Sequence, residues 1–304
     1  MSKSEKDGLI LIVGGGPAGL GAALAFDNNK YKNIIVLEGR MDMNFDVDDS
    51  YLVGLNVRGQ NSIKKLFASS EKQPDLSNLG LRVDKWKIIV GPGINVANFE
   101  SGLVQSTSRA EITHILYNEA KLRPSITVLF GHKAKALDLE TKKVVSEAKN
   151  GEEEKIFHPA CLVIADGYRS KMRDQLAEAD KTLQVQQWPW NIKFRSLVSQ
   201  PNPETSLNPY AHYIQNQLYT AKYLDGKWAT GVSIKEDSPE FLSSNDPSDK
   251  NVDDLQRYLK KTARPAADLY TREDLRKYFS RSIFSGAVTK VSKLSQKKSK
   301  TLIS

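Results

Sequence analysis

The feature that most constrains this chain lies in its first forty residues. An apolar strand at 9–13 runs into Gly14-Gly15-Gly16-Pro17-Ala18-Gly19, followed by a small-residue helix, a second strand at 34–37, and Glu38. Each part has a physical task in holding a dinucleotide. Gly14 permits a tight strand-to-helix turn, Gly16 lets backbone N–H groups approach a pyrophosphate, and Gly19 lets the helix lie close on the strand. Pro17 and Ala18 open the helix, whose first turn presents orphan donors and a partial positive charge to phosphates. Glu38, at the end of the second strand, is placed to accept hydrogen bonds from an adenosine ribose. This order of elements points to a bound dinucleotide and leaves NAD, NADP and FAD open.

Composition narrows the setting. With 304 residues and 39% hydrophobic side chains, the chain can bury a sizeable core and is long enough for about two domains. No apolar run approaches the roughly 20 residues that span a bilayer, and the polar start at 1–7 does not resemble a signal peptide. An intracellular protein, cytoplasmic by default, is the expectation. Cys161 is the only cysteine, which rules out an intrachain disulfide and a cysteine-based metal cage, and His114, His132, His158 and His212 lack ligand-like spacing. No metal site is expected. The net charge of +8 includes a C-terminal lysine run, but no nucleic-acid motif accompanies it, so the charge reads as a solvated face with attraction for phosphorylated cofactors.

Along the chain, an acidic loop at 42–49 leads to Leu55-Asn56-Val57-Arg58-Gly59 and a short helix near 62–68. A strand at 81–90 ends at Gly91-Pro92-Gly93. Ser108-Arg109-Ala110-Glu111 reads as a capping box opening a helix with Ile112, Ile115, Leu116 and Ala120 on one face. A strand at 126–130 and two strands at 134–145 and 155–157 follow, the latter pair crossing a Lys/Glu-rich turn at 149–154. Cys161 to Ala165 is a buried-type strand ending at Asp166-Gly167, after which Ser170 caps a helix. By contrast, Asp225-Gly226 lies between two strand-like runs and reads as a hairpin turn. The segment 184–234 is rich in strands and aromatics, and polar helices at 252–262 and 272–279 come after it.

Three separated patches resemble the single-component FAD-dependent aromatic-ring monooxygenases: Gly14 to Arg40, Ser108-Arg109, and Ala165-Asp166-Gly167-Tyr168-Arg169-Ser170-Lys171-Met172-Arg173. The resemblance implies an α/β fold, with a Rossmann-like three-layer FAD/NAD(P)-binding domain and an inserted, mainly antiparallel β-sheet substrate domain. It implies a cofactor domain at 1–180, with 75–100 serving the substrate side, a substrate domain at 181–282, and a return to the cofactor domain at 283–304. FAD would lie along Gly14, Gly16, Pro17, Ala18 and Gly19, with Glu38 on its ribose, Arg40 near the adenosine, and Ala134 on the strand beside the adenine. Arg58 and Arg109 would face the flavin side, while Asp166 and Gly167 would approach both FAD and NADPH.

The implied reaction is hydroxylation of a small aromatic substrate with NADPH and O2, the cofactor carrying the difficult chemistry; the sequence singles out no catalytic side chain. Leu55 to Gly59 and Phe130-Gly131-His132-Lys133-Ala134 resemble the family's kynurenine-directed branch. Arg82 would then clamp the substrate carboxylate. The family's third cofactor motif contains a Gly-Asp pair, which this sequence lacks, so the expectation is a form truncated before that motif. A catalytically silent dinucleotide-binding module and an NAD(P)-linked reductase are the alternative readings.

Overall fold

The computed structural model describes residues 6–44, 49–70, 76–90, 94–149, 153–216, 218–296 and 301–303. Residues 45–48 of the acidic run at 42–49, the Gly91-Pro92-Gly93 stop and the centre of the turn at 149–154 therefore lie outside the described residues. The first half contains β1 (Ile10–Val13), α1 (Pro17–Asn28), β2 (Ile34–Glu38), β3 (Leu52–Leu55), α2 (Val57–Leu66), β4 (Leu81–Val90) and β5 (Ile94–Ser108). Next come α3 (Arg109–Lys121), β6 (Ile126–Phe130), β7 (His132–Asp138), β8 (Lys143–Ala148), β9 (Lys155–Phe157), β10 (Cys161–Ile164) and α4 (Lys171–Ala179). The second half contains β11 (Val185–Pro189), β12 (Lys193–Val198), β13 (Ala211–Gln215), β14 (Leu218–Lys222) and β15 (Trp228–Ile234). It closes with α5 (Asp249–Thr262), α6 (Arg264–Ala267), α7 (Arg272–Tyr278), β16 (Ile283–Phe284), β17 (Ala287–Val291), β18 (Ser295–Gln296) and β19 (Thr301–Ile303).

One sheet runs β18-β19-β10-β1-β2-β6 and is parallel except at β18. Its central strands β1, β2 and β10 are buried on both faces, as parallel strands in α/β folds are. Ile10 and Ile12 of β1 point into a core shared with Leu20 and Leu24 of α1 and Leu116 of α3. Leu11 and Val13 point the other way, onto Met172 and Leu176 of α4 and Val144 of β8. Helices on one face, and α4 with the β7-β8-β9 sheet on the other, give the expected three layers. Helix α1 comes close because Gly19 has no side chain: a Cβ there would lie 1.8 Å from the Gly14 carbonyl oxygen.

The second large sheet, β16-β12-β15-β14-β13-β4-β5-β3, is antiparallel except where β13 meets β4. It draws β3, β4 and β5 from the first half of the chain. One face packs Tyr213, Leu218, Trp228 and Val232 against Leu255 and Leu259 of α5 and Tyr278 of α7. Arg195, fully buried on that face, donates to the Ser244 carbonyl at 2.6 Å and to Asn245 Oδ1 at 2.7 Å and lies over the Tyr278 ring.

Several local expectations change in the structure. The predicted strand at 134–145 is two strands, because Asp138 accepts the Glu140 and Thr141 amides and the Thr141 hydroxyl, turning the chain before Lys142 at φ 53°. Helix α2 starts at Val57 rather than 62, since Asn56 caps it by accepting the Gly59 amide at 3.0 Å. Only half of the predicted box at Ser108 forms. Ser108 Oγ accepts the Glu111 amide, while the Glu111 carboxylate takes the Thr107 hydroxyl. A complete box forms instead at Thr271 and Asp274. The Asp225-Gly226 hairpin is present, with Gly226 at φ 90°. Among the described residues, no helix is long and apolar enough to cross a membrane.

Two stability predictions arise from this packing. A solvent-facing Gly→Ala in a helix stabilises by up to about 1 kcal/mol, but Gly19→Ala is expected to destabilise by more than about 2 kcal/mol in urea unfolding, because the methyl group has no room. Burial pushes the fully buried His212 down from 6.5 to about 4. The unfolded chain therefore takes up this proton at higher pH than the folded one. The stabilisation is complete above pH 6.5 and is lost as pH falls toward 4. Between about pH 7 and about pH 4.5 the protein should lose about 2 kcal/mol more than His212→Gln does.

A candidate dinucleotide-binding cleft

At the carboxyl ends of β1, β2 and β10, the position where open α/β sheets bind ligands, a cleft of about 640 Å³ gathers residues from widely separated segments. Val13, Gly14 and Gly16 come from the first turn, Glu38 and Arg40 from the end of β2, Arg109 from the start of α3, Ala134 from β7, and Asp166 and Gly167 from the end of β10.

The glycines divide by what surrounds them. Gly14 adopts φ +105°, and a Cβ there would meet the Ala165 carbonyl oxygen at 2.3 Å; Gly14 and Gly19 are thus demanded by protein atoms. Around Gly16 the nearest atom to a built Cβ is Arg109 Nη2 at 3.4 Å, and around Gly167, at φ +90°, nothing lies within 4 Å. These two face open space. Gly16 is the N-cap of α1 and supplies no side-chain cap; Pro17 at N1 has no N–H, and Ala18 follows it, so the amides of the first turn are left for a ligand. Asp166 Oδ1 is buried without a hydrogen-bond partner among the described residues.

Glu38 is more heavily engaged than its sequence position implies. Its Oε2 accepts from the Gly15 amide at 2.8 Å and Arg40 Nη2 at 3.2 Å, and its Oε1 from the Arg40 amide at 2.8 Å and Arg40 Nε at 3.0 Å. Four donors match the four lone-pair sites of a carboxylate. Burial alone would push this carboxyl up, but the Arg40 donors, the Arg40 charge and the Gly15 amide together hold it below its ordinary value. Arg40 is fixed in turn: its Nη2 donates to the Gly15 carbonyl, and its own carbonyl accepts the Gly131 amide at 2.7 Å. A ribose hydroxyl reaching Glu38 must share or displace the guanidinium.

Lys133, Lys149, Arg169 and Lys171 also line the cleft and join Arg40 and Arg109 against the two acids Glu38 and Asp166. This excess of cations suits a diphosphate. Sequence reasoning passed over them because an exposed lysine next to a motif looks like any solvated lysine. Arg58, expected at the flavin side, is exposed on the first turn of α2 and stands outside the cleft lining. Arg82 lies on β4, with Nε donating to Asp84 at 2.9 Å, and lines a separate pocket of about 330 Å³ with Gln60, Leu103, Gln105 and Leu224. No group of three His, Cys, Asp or Glu among the described residues could hold a metal ion.

The residues present fit a dinucleotide: an open glycine cradle, uncapped amides, an orphaned buried carboxylate oxygen and a cationic rim. Comparison with known proteins agrees. Residues 9–187 match the family described as pyridine nucleotide-disulphide oxidoreductase. Kynurenine 3-monooxygenases from the Lens and Corby strains of Legionella pneumophila are 29% identical over 181 residues, which covers 55% of this chain and 37% of the relative. The match thus spans little more than a third of the length of these curated relatives.

Among solved structures, the tetrameric form of 2-methyl-3-hydroxypyridine-5-carboxylic acid oxygenase superposes with a TM-score of 0.74 at 16% identity, covering 98% of this chain and 74% of that one. A p-nitrophenol 4-monooxygenase from Pseudomonas putida gives 0.67 at 12% identity, covering 98% and 71%. At such identities these two show a shared fold, including the curled second sheet. Since the family match covers more than half of the chain and contains every residue that lines the cleft, this protein belongs to the pyridine nucleotide-disulphide oxidoreductase family.

Proposed function

We propose that this chain binds FAD in the cleft and works as an NADPH-using monooxygenase that hydroxylates a small aromatic, kynurenine-like substrate with O2. The observation that carries the reading is the convergence of Gly16, Arg109 and Asp166-Gly167, three sequence patches spread over about 150 residues, on one cleft. The names of the curated relatives and the shared fold of two aromatic-ring oxygenases support it. Residues 1–180 would hold the cofactor, with 75–100 reaching the substrate side; 181–282 would face the substrate, and 283–304 would return to the cofactor sheet.

FAD, when bound, supplies the redox chemistry between the nicotinamide and oxygen. The chain supplies the rest. The open face of Gly16 and the amides of Ala18 and Gly19 would receive the pyrophosphate, aided by the positive end of α1. Glu38 and Arg40 would hold the adenosine ribose, with Ala134 beside the adenine. Arg109, at the mouth of the cleft, would offset the diphosphate charge and stabilise negative charge developing on the ring system. Asp166 and Gly167 would hold the far end, where the unpartnered Oδ1 seeks a donor and the absent side chain leaves room for NADPH to approach. Arg82 would pair with a substrate carboxylate through its guanidinium edge.

The test is to load the purified chain with FAD, desalt it, and record the flavin spectrum before and after NADPH. Retained flavin that NADPH bleaches faster in the presence of L-kynurenine is the expected result. A chain that keeps no flavin overturns the reading, and one that shifts only with NADPH favours a reductase. Gly16→Val fills space that no protein atom uses, so it should unfold at nearly the wild-type temperature yet weaken flavin retention by at least about 100-fold.

A further inference from the structure

Two helices begin at the cleft, and they begin differently. In α1 the first-turn amides are left open beside Gly16. In α3 the protein closes them: the Tyr51 carbonyl accepts the Arg109 amide at 3.1 Å, Ser50 Oγ the Ala110 amide at 3.1 Å, and Ser108 Oγ the Glu111 amide at 3.0 Å. Three of the four orphan donors of a helix start are thereby used. Two of them go to a segment 60 residues upstream, and Ala110 is buried, so water cannot replace those acceptors. This helix start therefore offers the cleft a side chain, Arg109, in place of amides.

The Arg109 side chain is aimed from its root. Its Nη2 stands 3.4 Å from where a Cβ on Gly16 would be, and the guanidinium has no acceptor among the described residues. Nothing at the head of the side chain fixes its direction, which leaves the backbone of the first turn to do so. That backbone is held by Ser50 and Tyr51 from one side and by Thr113, whose hydroxyl donates to the Arg109 carbonyl at 2.8 Å, from the other.

The 49–51 segment is in turn fixed by the curled sheet. Ser196 Oγ on β12 donates to the Ser50 carbonyl at 2.7 Å, both residues being buried. Asp49 accepts the Ser282 amide at 2.7 Å and its hydroxyl at 2.8 Å, just before β16. The Tyr51 ring meets Phe194 and Phe284 edge-on at 5.5 and 5.1 Å. Ser50 stands at the centre of this arrangement: the sheet holds its carbonyl, and its hydroxyl holds the helix.

We propose that Ser50 is a positioning residue for the nucleotide cleft, fixing the first turn of α3 so that the Arg109 guanidinium stays beside Gly16, with Ser196 holding Ser50 in place. Reading Arg109 as the partner of a bound diphosphate rests on the function proposed above; the positioning of its backbone does not.

Hydrogen exchange on the full chain, followed by mass spectrometry without ligand, tests the positioning. In Ser50→Ala the amides at 109–111 should exchange at least about tenfold faster, while those of α1 and β10 stay within about twofold of wild type. Unchanged exchange at 109–111 overturns the proposal, as does a uniform rise across the chain, which would make Ser50 a residue of general stability. Calorimetric titration with FAD and with ADP tests the consequence. Ser50→Ala should weaken binding about five- to tenfold, whereas on an Arg109→Met background the same substitution should cost less than about twofold. An equal further loss in the double variant overturns the proposal, because Ser50 would then act on the nucleotide without Arg109. Ser196→Ala should act in the same direction by about two- to threefold in both measurements, and it decides the matter if Ser50→Ala does not fold. A wild-type chain that binds neither FAD nor ADP loses the dinucleotide reading, and the exchange result alone then upholds or overturns the role of Ser50.

Discussion

The cleft depends on backbone packed directly on backbone. At Gly19 the helix α1 rests on the turn at Gly14, and at Gly14 the turn rests on the carbonyl of Ala165 at the end of β10. No side chain fits at either contact, so the ends of β1 and β10 and the start of α1 are held within a few ångströms of one another. That proximity sets the cleft's floor and brings Asp166, about 150 residues downstream, beside the first turn. The hydrophobic layers above and below the sheet keep the contact pressed, and the alternation Ile10, Leu11, Ile12, Val13 serves both layers at once.

The end of β2 is organised around a single carboxylate. Glu38 ties the Gly15 amide to Arg40, and Arg40 ties the same turn to Gly131 at the β6–β7 connection. Three segments are thus locked before any ligand arrives. Such preorganisation lowers the cost of binding a nucleotide, but an acceptor already surrounded by four donors gives a ribose hydroxyl less than a bare carboxylate would. In the proposed mode of binding, Arg40 would therefore set how strongly Glu38 could hold a ribose.

What could be read from the sequence tracked the range of the interaction. The glycine fingerprint, the Ser108 and Ser170 caps and the Asp225-Gly226 hairpin depend on residues a few positions apart, and each stands where the spacing placed it. Asp138 and Asn56 also act locally, yet their turn and cap had to compete with strand and helix patterns that looked continuous, and boundaries moved. The grouping of aromatics on the curled sheet was not legible. Whether Trp86, Tyr219 and His212 share a face depends on a parallel pairing of β4 with β13 across more than a hundred residues, and no local period records that register. The strand β5 was likewise missed, its run of Asn, Ala, Glu and Gly diluting the apolar alternation. The cationic rim escaped for a different reason: lysines acquire meaning only from the cleft they surround.

The curled sheet and the nucleotide cleft share one junction. Strand β5 carries Ser106 on the inner face of the curled sheet and ends at Ser108, whose hydroxyl caps α3. Arg109, the next residue, lines the nucleotide cleft, and its amide donates to the Tyr51 carbonyl just before β3. Strand β3 then pairs back on β5 through Gly54 and Ser106. Only two residues, Thr107 and Ser108, separate a polar atom of the sheet interior from a cation of the cleft, and both ends are fixed by the same cap and the same strand pairing.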